Sequence, residues 1–243
     1  MGRVRHVDLC ILGSGSGNSI VDDRFADWSV ALVDHGAFGG TCLNVACIPT
    51  KMYAYPADLA LSPGEAGRLG VDLRLDKVRW SDLQDRVFRR IDDTSAEGLR
   101  GRLDAPHVTV FSETARFVGP RTLDLGPAGQ LTADRFVIAA GSRPRIPPIE
   151  GLDLVDYHTS DTVMRLPELP ASMVILGGGY VAAEFAHIFT AFGTEVTVVN
   201  AAPGLLAQED AEVAGAFEEI LGRRVDLRLD REVRRVARTG SGV

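Results

Sequence analysis

The chain has 243 residues, 45% of them hydrophobic and 24% charged, enough to bury a substantial core in one large or two smaller domains. Its formal net charge of -7 argues against a broad polyanion-binding surface, and so against nucleic acid as a partner. No apolar run approaches the roughly 20 residues that a membrane span needs. Met1 to His6 is too short and polar for a secretion signal, and three cysteines are too few for a secreted disulfide scaffold. A cytoplasmic protein with no membrane partner is the default reading. Only two of the 26 basic residues are lysines, Lys51 and Lys77. In so arginine-rich a chain, Lys51 stands out as a choice for a compact ammonium.

Val7 to Leu12 is an apolar run that predicts a strand. Gly13-Ser14-Gly15-Ser16-Gly17-Asn18 follows, then a predicted helix, then a second apolar run, Val30 to Val33, closing on Asp34. Strand, glycine turn and an acid about 20 residues on form a βαβ unit for a dinucleotide. The glycines admit a pyrophosphate to the backbone at a helix N-terminus, and the acid takes a ribose hydroxyl. Asn18 departs from the third glycine of that pattern, which serves close packing of helix on sheet.

Gly39-Gly40-Thr41-Cys42-Leu43-Asn44-Val45-Ala46-Cys47-Ile48-Pro49-Thr50-Lys51 comes next, with two cysteines five apart beside a lysine. At a bent loop-to-helix junction, residues 42 and 47 can approach within about 6 Å, the reach of a disulfide. A helix starting there would also stabilise a thiolate. The pair suits an intramolecular redox disulfide, against the alternative of a coincidental pair of small apolar residues. A zinc site would need two more ligands, and no second cysteine pair exists. The phosphate loop just upstream suits redox chemistry with a flavin.

Trp80 to Leu103 predicts a charged, surface-exposed amphipathic helix. Val108 to Phe111, Ala115 to Val118, Thr122 to Leu125 and Gln130 to Leu131, punctuated by glycine and proline, predict strands and a β-meander. Arg135 to Ala140 reads as a further strand ending in Ala139-Ala140-Gly141-Ser142-Arg143-Pro144, and Pro144 to Pro148 as a domain boundary. The pattern then restarts. Met173 to Leu176 is a strand, Gly177-Gly178-Gly179-Tyr180-Val181-Ala182 a glycine turn, Ala183 to Phe192 a helix and Glu195 to Val199 a strand. Two such units imply two nucleotide cofactors, and Ala182 in the third glycine position still permits close packing. Asp210 to Gly222 predicts a helix, Val225 to Leu229 a strand, Glu232 to Ala237 a meander strand, and Thr239 to Val243 the start of a hairpin with no return. The chain reads as truncated.

The two glycine motifs, the Cys-x4-Cys-x3-Lys segment and the Ala-Gly-Ser-Arg-Pro turn together resemble the N-terminal half of the flavin-dependent disulfide reductases. Gly13 to Ile20, Phe38 to Met52 and Tyr157 to Arg165 are similar to the branch of that family that reduces mycothione, the disulfide of mycothiol. The resemblance implies an α/β fold with two Rossmann-like dinucleotide-binding domains, three-layered with β-meanders. Residues 1–148 would bind FAD and carry the redox-disulfide segment, and 149–243 would be an incomplete NAD(P)-binding domain.

The resemblance assigns roles position by position. Gly13, Gly15 and Gly17 would cradle the FAD pyrophosphate, Asp34 its adenosine ribose and Thr41 its phosphate and ring. Ala115, Gly141 and Ser142 would approach FAD through the backbone. Cys47 matches the flavin-facing charge-transfer thiol, Cys42 the interchange thiol that attacks the substrate, Lys51 the lysine near flavin N5 and Glu184 its carboxylate partner. Gly177, Gly179 and Ala182 would serve the nicotinamide nucleotide, and Tyr180 would cover the nicotinamide pocket. Hydride would pass from NAD(P)H to the flavin, and electrons onward to the Cys42–Cys47 disulfide.

Three departures from the family pattern bear on function. NADPH-dependent relatives carry arginines at the positions of Ala201 and Ala207, and NAD-dependent ones an acid at that of Asn200. NADP is therefore expected from the branch, with NAD not excluded, and Arg223 or Arg224 reads as a solvated helix end rather than a phosphate ligand. The family's acid–base histidine and its glutamate lie in a C-terminal dimerisation domain that acts across a homodimer, with no counterpart in these 243 residues. This polypeptide alone is therefore expected to bind FAD poorly and not to turn over mycothione. Lipoamide dehydrogenase or another flavin disulfide reductase remains one alternative, and a noncatalytic nucleotide-binding remnant another. Of the remaining candidates, Cys10 reads as a buried core thiol. His6, His35 and His107 read as surface residues, His187 as a packing residue, and His158 carries only the branch resemblance.

Overall fold

The computed structural model describes residues Val4 to Gly240. The chain divides into two compact units, one of Met1–Pro49 and Phe88–Arg143, the other of Thr50–Val87 and Pro144–Val243. Both divisions inside the first half fall within helices, α2 (Cys47–Arg68) and α3 (Trp80–Leu103).

The first unit is built on a six-stranded sheet of order β3-β2-β1-β6-β5-β4. Its strands are β1 (Val4–Leu12), β2 (Val30–Val33), β3 (Val108–Phe111), β4 (Arg116–Gly119), β5 (Thr122–Asp124) and β6 (Gln130–Ile138). Pairings among β3, β2, β1 and β6 are parallel, and β4, β5 and β6 form an antiparallel meander. The parallel part is covered on both faces, which is why β2 reads Val-Ala-Leu-Val without polar alternation and is buried throughout. Near the start of β1 the amides of Asp8 and Leu9 both donate to Ser29 O, at 3.0 and 3.2 Å. This bulge-like doubling shifts the strand's alternation. Val7 and Cys10 consequently share one apolar cluster with Val33 and Leu131, while Leu9 and Ile11 join the other with Val30 and Leu32. Cys10 is fully buried, and burial pushes its thiol up to about 12.

The second unit holds a parallel three-stranded sheet of order β7-β8-β9, made of β7 (Ser172–Leu176), β8 (Glu195–Val199) and β9 (Asp226–Arg228). Helix α4 (Tyr180–Ala191) crosses from β7 to β8, and α5 (Ala211–Gly222) from β8 to β9. Asp210 caps α5, its Oδ1 accepting from the amides of Glu212 and Val213 at 2.9 and 3.4 Å. The core of this unit includes Tyr53 stacked on Trp80 at 5.2 Å, and Trp80 against Phe189 at 5.9 Å. The polar edges of both rings are satisfied: Tyr53 donates to Met164 O at 3.1 Å and Trp80 Nε1 to Leu166 O at 2.8 Å.

Five local expectations are corrected. No α-helix follows the first glycine turn. Ser16-Gly17-Asn18-Ser19 is a run of poor helix formers, and only two 3₁₀ turns form, Ser16–Ile20 and Asp23–Phe25. Gln130 to Leu131 and Arg135 to Ala140 belong to one strand, β6. It pairs β5 at one end and β1 along its length, so tertiary pairing carries it through the polar Thr132 and Asp134. Helix α3 is amphipathic as expected but not a surface helix throughout, since Trp80, Val87, Phe88 and Ile91 are buried. Glu232 to Ala237 forms no strand, only a single bridge from Arg235 to Glu150. His107 is half-buried rather than on the surface, with Nε2 enclosed and unpartnered. The hairpin expected at Thr239 to Val243 lies partly outside the described residues, which end at Gly240.

Candidate active site

In the first unit the glycine turn is shaped by the residues it touches. Gly13 has φ +110°, and a Cβ there would stand 2.2 Å from Ala139 O, so only glycine fits. Gly17 meets Ala139 Cβ at 2.2 Å, and Gly40 meets Gly15 Cα at 2.6 Å. The close packing that the sequence pattern assigns to position 18 is therefore supplied by Gly17, and Asn18 accepts instead from Arg102 Nη2 at 2.9 Å. Asp34 at the end of β2 accepts from the Ser14 amide at 2.7 Å and the Gly36 amide at 2.9 Å. Burial opposes ionisation of Asp34, but these hydrogen bonds outweigh it and hold the carboxyl below its usual range.

The two bonds that this ionised carboxylate accepts leave further lone pairs for a diol. A tight all-glycine backbone approach beside an ionised acid is the donor and acceptor set that an adenosine diphosphate takes, so the residues present fit FAD here. Gly141, φ +68° with open space around it, and Ser142 follow β6, and Ala115 lies half-buried just before β4.

The cysteines sit at a break between two helices. Cys42 is in the one-turn helix α1 (Gly40–Asn44), Val45 leaves helical geometry at φ -140° and ψ 1°, and Cys47 is the first residue of α2. Both are exposed free thiols, one on each side of the break. The expected stabilised thiolate is not found at Cys42. Its hydrogen bond to Cys47, with burial and the charge of Cys47 adding to it, holds its pKa above the usual cysteine value.

Asn44, between the two cysteines, was missed by the sequence reading. Its Nδ2 donates to Gly40 O, Phe38 O and Ala37 O at 2.9, 3.0 and 3.2 Å, and its Oδ1 is buried without a partner. Ser95 Oγ adds a bond to Phe38 O at 2.7 Å, and Ser14 Oγ accepts from Gly39 N at 3.0 Å. Together they brace the Gly39-Gly40 turn that presents Thr41 and Cys42. A single asparagine in a cysteine segment was the only signal, and its partners are backbone atoms that carry no sequence signature.

In the second unit Lys51, on α2, pairs with Glu184 on α4. The two side chains are 67% and 39% exposed, and such surface pairs are worth about 0–1 kcal/mol. Stability is therefore a weak reason for this pair. One turn along α4, His187 Nε2 lies 2.9 Å from Asp58 Oδ1 on α2, and Arg224 Nη2 lies 3.2 Å from His187 Nδ1. Arg224 is thereby committed to His187, and Arg223 pairs with Glu219.

Gly177 has φ +116°, Gly179 caps α4, Tyr180 is 74% exposed and Ala182 is buried. The Asn200 amide is turned toward its own loop, donating to Gly204 O at 2.8 Å. Among the described residues no group of three or more His, Cys, Asp or Glu could hold a metal ion. No helix among them is long and apolar enough to cross a membrane.

A family model described as pyridine nucleotide-disulphide oxidoreductase matches residues 7–243. A mycothione reductase of Mycobacterium tuberculosis is 48% identical over 242 residues, 97% of this chain and 52% of that protein. A mercuric reductase of Streptomyces lividans is 32% identical across 97% of this chain and 51% of its own length. A dihydrolipoyl dehydrogenase of Bacillus subtilis is 30% identical across 89% and 48%. The HOCl-induced flavoprotein disulfide reductase RclA from Escherichia coli superposes with a TM-score of 0.81 at 28% identity, covering 94% of this chain and 50% of that one. The chain spans about half the length of the curated relatives it matches. With its paired cysteines at a helix start downstream of a dinucleotide-type glycine turn, it belongs to the pyridine nucleotide-disulphide oxidoreductase family.

Proposed function

We propose that the protein reduces mycothione to mycothiol with NAD(P)H, using FAD and the Cys42–Cys47 pair. The observation that carries this reading is the cysteine pair at the α1–α2 break, within a chain 48% identical to a mycothione reductase. Residues 1–148 act as the FAD-binding domain and 149–243 as part of the NAD(P)-binding domain. Gly13, Gly15, Gly17 and Asp34 would hold the adenosine diphosphate of FAD, with Thr41, Ala115, Gly141 and Ser142 alongside. Gly177, Gly179, Ala182 and Asn200 would hold the nicotinamide nucleotide, with Tyr180 over its nicotinamide end. When bound, FAD supplies two-electron transfer between the nicotinamide and the disulfide.

The chain's own residues divide the remaining work. Lys51, held by its ion pair with Glu184, would set an ammonium where the flavin gains negative charge on reduction. Cys42, as the thiolate left when its proton passes to solvent, attacks one sulfur of mycothione, forming a mixed disulfide and releasing one mycothiol thiolate, which takes a proton from solvent. Cys47 then gives up its proton and attacks the Cys42 sulfur, closing the Cys42–Cys47 bond and releasing the second mycothiol, which leaves as the thiol with that proton. Two electrons leave the dithiol and two thiols leave the site. Exchange of this kind depends on thiolate fraction and nucleophilicity together.

The test is steady-state turnover of the natural-length protein with mycothione and with lipoamide, each with NADPH and NADH. Mycothione is expected to be the better substrate, and Cys42→Ser to abolish turnover while leaving FAD bound. Preference for lipoamide would move the protein to another branch of the family. A natural-length protein inert with both substrates would leave a nucleotide-binding remnant.

A further inference from the structure

At the carboxyl edge of the second unit's sheet, the loop leaving β8 is tied to the segment leaving β9. Asn200 N donates to Arg228 O, Arg231 N to Asn200 O and Asp230 N to Ala202 O, each at 3.0 Å. The Asn200 side chain is committed as well. Its Nδ2 donates to Gly204 O at 2.8 Å and Ala202 O at 3.4 Å, and it lies over Gly178, where a Cβ would stand 2.6 Å away. A carboxylate at 200 would face those carbonyls with no proton to give.

Each of these two segments carries a non-glycine residue in left-handed geometry, Leu206 at φ 49° after β8 and Asp230 at φ 52° after β9. A residue in that geometry persists only where its surroundings over-determine it, which happens most at ligand sites. Leu206 N donates to Gly178 O at 2.7 Å, which holds the β8 loop beside the glycine turn, while Asp230 N ties the β9 segment to that loop at Ala202 O.

In an open parallel sheet a dinucleotide lies outside the carboxyl ends of the strands, and the group at the end of the second strand meets the adenosine ribose. Here that end is Asn200, with the start of the 230–231 turn hydrogen-bonded to it. A carboxylate there accepts from a 2′-hydroxyl, whereas a guanidinium takes a 2′-phosphate through charge-assisted bonds. The neighbouring arginines are already engaged. Arg228 pairs with Asp226 at 2.8 Å, Arg223 with Glu219 and Arg234 with Glu232, and Arg224 binds His187. Arg231 is exposed, gives one bond from Nη1 to Asp230 O at 3.0 Å, and makes no ion pair among the described residues.

We propose that Arg231 reads the 2′-phosphate of NADPH in this protein, standing in for the side chains absent at Ala201 and Ala207. This rests on the assignment of the Gly177–Gly179 turn to a nicotinamide nucleotide. Asp230, beside it, is an acid that could read the unphosphorylated ribose of NADH instead.

The experiment is kcat/KM for NADPH and NADH with the natural-length protein, its Arg231→Ala and Arg231→Lys variants, and an Arg234→Ala control. The wild type is expected to prefer NADPH. Arg231→Ala should lower the NADPH/NADH ratio at least tenfold through KM, Arg231→Lys should recover part of it, and Arg234→Ala should leave it in place. A ratio unmoved by Arg231→Ala overturns the inference while the nucleotide assignment stands, as does a wild-type preference for NADH that Asp230→Asn removes. Use of neither nucleotide overturns both.

Discussion

The Cys42 thiol holds its proton more tightly than an ordinary cysteine because of the sulfur it faces, so the two cysteines are not equivalent. A hydrogen bond donated to Cys47, reinforced by desolvation, raises the pKa of Cys42 above its usual value. Its thiolate fraction near neutral pH is therefore smaller than that of a free cysteine. Alkylation of the reduced protein by iodoacetamide, followed residue by residue with mass spectrometry, is expected to show Cys42 reacting along a pH profile whose midpoint lies above the ordinary cysteine value. Cys47→Ala removes the acceptor and should move that midpoint down. A Cys42 midpoint at or below the ordinary value in the unmutated protein would contradict this account. Asn44 shows how much of such a site is invisible in one dimension, since every bond it makes goes to backbone carbonyls.

Among the elements, the first glycine turn differs most from its sequence reading. The βαβ pattern was legible in Val7 to Leu12, Gly13 to Asn18 and Val30 to Asp34, yet the segment after the glycines forms only 3₁₀ turns. The turn is then held from outside, by Arg102 of α3 bonding Asn18 O and Val21 O at 2.9 and 3.2 Å. Gly17 against Ala139 provides the close approach. Gly17→Ala is expected to destabilise the protein by about 1–3 kcal/mol, the usual penalty of overpacking. It should also weaken FAD binding, read as a lower urea midpoint and a lower flavin content on purification. An unchanged midpoint would mean that the 2.2 Å contact relaxes at no cost. Helix α2 makes a related point. Pro56 leaves the carbonyl of Met52 without its helical donor, and Arg86 Nη2 approaches that oxygen at 3.5 Å.

For the whole molecule, cofactor and fold are linked by mass action. A ligand that binds only the folded state stabilises it by about 2.7 kcal/mol at a concentration 100-fold above its Kd. Stripped natural-length protein is expected to gain about that much on reconstitution with FAD, read as a rise in thermal midpoint. No rise at saturating FAD would count against the role given to Gly13, Gly15 and Asp34. By itself the sequence determined the α/β class, most strand and helix positions, the two glycine turns and the cysteine pair. Each of these is written in local periodicity, in glycines at fixed offsets or in rare residues at short spacing. Only the tertiary structure decided the partners that come from far along the chain. It tied Arg102 to the turn at Asn18 across 84 residues, carried β6 through its polar middle, and set the Arg231 amide on the Asn200 carbonyl. Those pairings depend on which strands and helices lie side by side, and a contact between distant segments leaves no period or motif in the sequence that makes it.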